Sequence, residues 1–234
     1  MRDMKISRRG AVKGFAAAGL GVATAAVTDA VSAKAAPGWG PGQGWPAEDL
    51  IMIIRHGEKP TGTTAPYGVT AGGVEDSESL TTFGWGRAGG LVNLFAPAVG
   101  PVRRGLVRPA AVFASNLTGP AGGSAREEET VSFLVTQLGV ELNTAYGVGD
   151  EQQLVAALAT TKGPVLICWE HDHIPTIADE LGNVSPAVPE TWPDGRFDVV
   201  WVFVPTRTTP GGPGYRFYQV PELLMPGDSD TPIS

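Results

Sequence analysis

The sequence contains a single cysteine in 234 residues, Cys168, so no intramolecular disulfide can form and stability has to come from core packing. It has no internal repeat at a period of roughly 20 to 50 residues, which excludes a repeat architecture. It also lacks a run of about 20 strongly apolar residues, the length that a transmembrane helix needs. Glycine and proline are abundant, at 32 and 20, but they are spread along the chain, which implies many turns and not one low-complexity block. With 42% hydrophobic residues, the chain has the length and composition of one well-buried domain.

Residues 1–35 differ in composition from the rest, because Arg2, Lys5, Arg8, Arg9 and Lys13 precede a small-residue run over 14–27. The stretch Ser7-Arg8-Arg9-Gly10-Ala11-Val12-Lys13 resembles the twin-arginine export signal, with Ala11 where a bulky apolar residue is usual. Ala33-Lys34-Ala35 offers a small-x-small cleavage site, and Val31-Ser32-Ala33 a second. The resemblance implies an exported protein, periplasmic, envelope-bound or secreted, with no stable membrane anchor once the signal is removed. Residues 36–48 read as a Pro/Gly/Trp linker and 49–234 as the folded domain. The first 35 residues hold six Lys/Arg against two Asp, so of the formal charge of −7 the remainder carries −11. A field of that sign opposes nucleic acid and anionic membranes, and any phosphate pocket has to gather its own cations.

From about residue 50 the chain alternates strands and helices. Residues 50–54 form a continuous apolar run that suits a strand buried on both faces, halted by Arg55-His56-Gly57. A Gly-rich loop over 60–79 precedes a helix over 80–95, with Thr81 or Thr82 as its cap and Phe83, Leu91, Leu94 and Phe95 as its apolar residues. A strand over 110–115 follows, then a helix over 124–138 for which Ser124 and Glu127 have the spacing of a capping box and Gly139 is a natural stop. A helix over 150–160 leads to a strand over 164–169, which ends in Glu170-His171-Asp172-His173. A helix over 174–181 and strands over 197–204 and 215–220 complete an order that implies a sheet covered by helices on both sides. Two apolar strands that each end in a histidine beside charged groups are what an active site at the carboxyl edge of such a sheet would produce. An arginine directly before a histidine favours phosphoryl chemistry, since its planar, permanently charged fork fits phosphate oxygens.

Four landmarks, in order over residues 49–204, resemble the histidine phosphatase (phosphoglycerate mutase-like) superfamily. They are Ile53-Ile54-Arg55-His56-Gly57-Glu58; Leu80-Thr81 with Gly84 and Arg87-Ala88, where Arg87 stands for the usual glutamine; Phe113-Ala114-Ser115 with Arg126, Glu129 and Thr130; and the strand before His171. The resemblance implies a three-layer α/β/α sandwich with a mostly parallel central sheet. It also implies a phosphatase that hydrolyses phosphomonoesters through a phosphohistidine on His56. Arg55, Arg126 and His171 would hold the phosphate, and no metal or other cofactor would be required. Asp172 resembles the aspartate proton donor of the acid phosphatase branch, and Glu58 is its rival. Lys59, where that branch carries a further arginine, would touch phosphate as a point charge.

Other readings stand beside this one. Glu170, His171, Asp172 and His173 with His56 could form the centre of a metal hydrolase, since His-x-His with carboxylates binds zinc-like ions. The Trp-rich linker hints at a non-catalytic phospho-ligand or carbohydrate-binding module, and a mutase would share the chemistry. His173 reads as the start of the next helix, Glu127 and Glu128 as helix-start charges and Cys168 as core packing. The partner expected is a small phosphorylated molecule, and neither the substrate nor the oligomeric state is named by the sequence.

Overall fold

A computed structural model describes residues 49–209 and 212–234, so the expected signal and linker over 1–48 lie outside the described residues. Seven strands form one sheet in the order β3-β2-β4-β1-β6-β7-β5. They are β1 Ile51–Arg55, β2 Ala111–Ala114, β3 Leu142–Asn143, β4 Val165–Trp169, β5 Val184–Ser185, β6 Val199–Thr209 and β7 Gly212–Pro221. Four helices accompany them: α1 Thr82–Phe95, α2 Arg126–Leu138, α3 Glu151–Leu158 and α4 Ile174–Leu181. The sheet is mixed, with both antiparallel pairings made by β6, which runs against β1 and β7. No helix among the described residues is long and apolar enough to cross a membrane.

β1 lies inside the sheet, parallel to β4 and antiparallel to β6, and all five of its residues are buried. Its side chains alternate between two cores, as the strand period of two requires. Met52 and Ile54 join Leu91, Leu94 and Phe95 of α1 and Val131 and Leu134 of α2, whereas Ile51 and Ile53 join Leu154 of α3 and Ile177 of α4. Each fully buried side chain of this size contributes about 1.5–3 kcal/mol over an exposed one. Hydrophobicity without alternation, in residues 50–54, is therefore the mark of a strand packed on both sides.

α1 begins at Thr81, whose hydroxyl accepts from the Gly84 amide at 3.3 Å. Glycine is needed at 84 because a Cβ there would lie 2.7 Å from the Glu58 carbonyl oxygen, so the first turn of α1 is pressed against the chain leaving β1. Phe83, expected on the apolar face, is about half exposed. The expected capping box of α2 is not formed: the N-cap is Ala125 with no side-chain bond, and Ser124 donates to the Glu127 carboxylate instead. Ser124 lies one residue too early to reach the helix amides, so its hydroxyl turns to the buried acid. Gly139 does end α2, in the left-handed region at φ 70°. The two-residue strands β3 and β5 are too short to leave a pattern in the sequence.

Candidate active site

In the register of β1 and β4, Arg55 stands beside Trp169, so the residues that leave both carboxyl ends emerge together. The His56 amide donates to the Trp169 carbonyl at 3.2 Å, and the rings of His56 and His171 lie edge to face with centroids 6.4 Å apart. Both histidines are buried.

The His56 ring nitrogen Nδ1 lies 2.7 Å from the Gly57 carbonyl oxygen. A carbonyl can only accept, so Nδ1 carries the proton and the neutral ring keeps its lone pair on Nε2. Burial, reinforced by the charges of Arg55, Arg126 and Lys59, pushes the His56 imidazolium well below the ordinary histidine range, whereas the bond to Gly57 works the other way. The Gly57 amide donates to Thr130 Oγ1 at 2.8 Å, and that hydroxyl donates to the Arg126 carbonyl at 2.6 Å. One threonine thus links the turn after β1 to the start of α2. Glu129 fastens the same helix to the loop before α1, accepting from Ser79 Oγ and the Leu80 amide at 2.8 Å each.

His171 sits in the opposite environment. Its Nδ1 pairs with Glu170 and its Nε2 with Asp194 at 2.7 Å, while Asp172 stands 3.6 Å from Nε2. Burial disfavours the charged ring, but the Glu170 and Asp194 carboxylates outweigh it and the histidine is raised above its ordinary value. His171 is therefore disposed to be a cation while His56 stays neutral.

Arg55 is 1% exposed, with its guanidinium 3.9 Å over the Phe197 ring. Nη1 donates to the carbonyls of Pro193, Asp194 and Arg196, whereas Nε and Nη2 are buried and find no partner among the described residues. Burial lowers its pKa to about 10, against the pull of Glu170, Asp194 and Asp172. Arg126 gives Nη2 to the Ser77 carbonyl and to Glu78, while its Nε is likewise buried and unpartnered among the described residues. Unsatisfied, desolvated guanidinium donors are costly unless an anion completes them. Lys59 is partly buried, and its charge is felt by both His56 and Asp194.

The remaining expected residues separate. Glu58 is committed to Arg87, which meets it through Nη2 at 2.7 Å and through Nε, and which also binds Glu222 at 2.8 Å and Asp228 at 2.7 Å. These carboxylates hold the Arg87 guanidinium firmly charged against the cost of its burial. Breaking such a buried pair from one side costs about 3–5 kcal/mol. Asp172 is largely exposed. His173 pairs with Glu151 at 3.0 Å, so among the described residues the atoms that could hold an ion together are those of Glu170, His171 and Asp172, within 4.8 Å of one another. Asp194 and Phe197 were not foreseen. Pro193-Asp194-Gly195 carries the signature of a turn, and nothing in the local sequence says that this turn folds over Arg55.

No family model and no curated protein matches the sequence. Among solved structures, the chain is similar to mycobacterial glucosyl-3-phosphoglycerate phosphatase at 11% identity, covering 73% of this chain and 97% of that one with a TM-score of 0.48. It is similar to a structure described as mycobacterial hydrolase 1 at 12% identity, covering 73% and 97% with a TM-score of 0.45. It is also similar to the protein histidine phosphatase SixA complexed with tungstate at 18% identity, covering 74% and 97% with a TM-score of 0.41.

Proposed function

We propose that this chain is a phosphatase of the histidine phosphatase superfamily, with its phosphoglycerate mutase-like α/β/α architecture, that hydrolyses phosphomonoesters through a phosphohistidine on His56. The observation that carries the reading is the opposed pair of histidines: a ring with its proton on Nδ1 and its lone pair on Nε2, 6.4 Å from a ring that two carboxylates favour as a cation. His56 Nε2 attacks phosphorus in line with the departing oxygen. Arg55, Arg126 and His171 stabilise the equatorial oxygens, with Lys59 adding a longer-range charge. The buried, unpartnered nitrogens of Arg55 and Arg126 support this, because they are donors in need of an oxyanion. The carbonyls on Arg55 Nη1 hold the guanidinium from one side and leave Nε and Nη2 for the phosphate, while Asp194 Oδ1 on His171 Nε2 favours the charged ring. Water then attacks phosphorus and releases phosphate. These roles call on no metal ion, and the partner is a small phosphorylated molecule.

The test is hydrolysis of p-nitrophenyl phosphate in EDTA by the native protein and by His56→Ala, with acid-quenched samples examined for a phosphoryl group that is stable in base and labile in acid. Activity and a phosphoenzyme in the native protein alone are expected. Loss of native activity in EDTA would sink the reading in favour of a metal centre at Glu170, His171 and Asp172. The export proposal rests on the Arg8-Arg9 pair and is checked separately, by fractionating cells that express the full chain or its Arg8→Lys, Arg9→Lys form.

A further inference from the structure

We propose that Glu127, and neither Asp172 nor Glu58, is the acid that protonates the leaving group. The proposal rests on the phosphohistidine reading above, which requires a proton for the departing oxygen and leaves its source open.

A general acid needs a proton at working pH and a position on the substrate's side of the site. Glu58 is held by Arg87, and Asp172, at the rim of the cleft, is largely exposed to solvent. Glu127 is 1% exposed and yet lines a cleft of about 300 Å³ together with Arg126, Glu170 and Asp172. That cleft adjoins the histidine pair, since Glu170 and Asp172 also contact His171 and Arg126 is the phosphate arginine of the proposal. It is where a leaving group would lie. Ser124 Oγ, 2.7 Å from Glu127 Oε2, fixes the carboxyl's direction.

The charged and titratable groups around Glu127 come from each neighbouring element: Arg126 on its own helix, Arg55 at the end of β1, Cys168 in β4 and Glu170 beyond it. Asp172, His173 and Glu78 complete the rim of the cleft. Burial pushes the Glu127 carboxyl up to about 7, Glu170 adds to the rise, and Ser124 and Arg126 oppose it. A carboxyl in that range can give a proton and take it back near neutrality.

In the first step the His56 Nε2–P bond forms as the P–O bond to the leaving group breaks, and the Glu127 proton passes to that oxygen to give the alcohol. In the second step water attacks phosphohistidine, its proton returns to the Glu127 carboxylate, and the N–P electron pair goes back to His56. Phosphate leaves and the acid is restored.

The test uses the full chain and three aryl phosphates whose leaving groups need a proton to different degrees: phenyl, p-nitrophenyl and 2,4-dinitrophenyl phosphate. In Glu127→Gln, kcat on phenyl phosphate should fall about 10²-fold, whereas on the dinitrophenyl ester it should fall only a few-fold. In Asp172→Asn no such gradient should appear. An equal fall on all three esters, no fall at all, or a gradient in Asp172→Asn instead would overturn the proposal. The native protein gives a second readout that needs no variant: the phenyl-to-dinitrophenyl rate ratio should drop as pH rises through about 7, and a constant ratio would contradict it. Hydrolysis that survives in His56→Ala would instead sink the phosphohistidine reading, which keeps the two failures apart.

Discussion

His56 and His171 leave neighbouring parallel strands only 6.4 Å apart, and yet their surroundings push them in opposite directions. Around His56 the protein gathers burial and positive charge, and around His171 it gathers carboxylates. The same side chain is favoured neutral in one place and as a cation in the other, and the difference lies in what the strand ends place beside each ring. An acidic chain can in this way gather positive charge at one point without a basic surface.

The comparison can be broken most severely at His56. His56→Ala should lower kcat/KM on p-nitrophenyl phosphate at least about 10⁴-fold, because it removes the proposed nucleophile itself. His171→Ala should cost less, about 10²–10³-fold in kcat, the usual loss when one donor to a developing oxyanion is removed. If both variants were equally damaged, the assignment of nucleophile to one ring and electrostatic support to the other would not stand.

Asp194→Asn sharpens the contrast instead of breaking it. The proposed mechanism needs His171 charged, so activity should fall as pH rises through the raised value of that histidine. Removing one of the two carboxylates that raise it should move this alkaline limb to lower pH, which a pH–rate profile would read. The smallest effect should appear in stability. His56, favoured neutral by the fold, contributes stability that is present above its ordinary value of 6.5 and lost as pH falls below it. His171 contributes with the opposite sign, fully below 6.5 and less as pH rises through its raised value. Urea unfolding of His56→Asn should accordingly show a weaker loss of stability on acidification than the native chain.

Much of this was legible in the sequence where a single strand or helix determined it. Residues 50–54 and 164–169 read as buried strands because they lack alternation, and the two histidines follow directly from where those strands stop. Arg126 stood out only through the resemblance of Arg126, Glu129 and Thr130 to the family's helix start, whereas Gly139 is legible locally as the stop of that helix. What was not legible depends on segments far apart in the chain. The partners of Arg55 lie 138 to 141 residues away, in a turn whose residues announce only a turn. Glu58 looked like an acid beside the nucleophile, but Glu222 and Asp228 help Arg87 to hold it in place. Glu127 read as a favourable charge at a helix start, and only the packing of α2 against the sheet explains its burial. The mixed sheet has the same cause, since no local pattern distinguishes β6 as antiparallel.

The place of β1 inside the sheet has a further consequence. Its backbone is hydrogen-bonded to β4 on one side and β6 on the other, so amide exchange there requires opening of the sheet itself. The turn over residues 193–196 reaches Arg55 through backbone carbonyls and His171 through the exposed Asp194 carboxylate, so its hold on the site is made of polar contacts instead of sheet pairing. The ring proposed to react thus follows directly on a strand held from both sides. The polar contacts that the 193–196 turn makes with Arg55 and His171 lie outside that ladder, so a change in the turn leaves the aim of the His56 ring to β1.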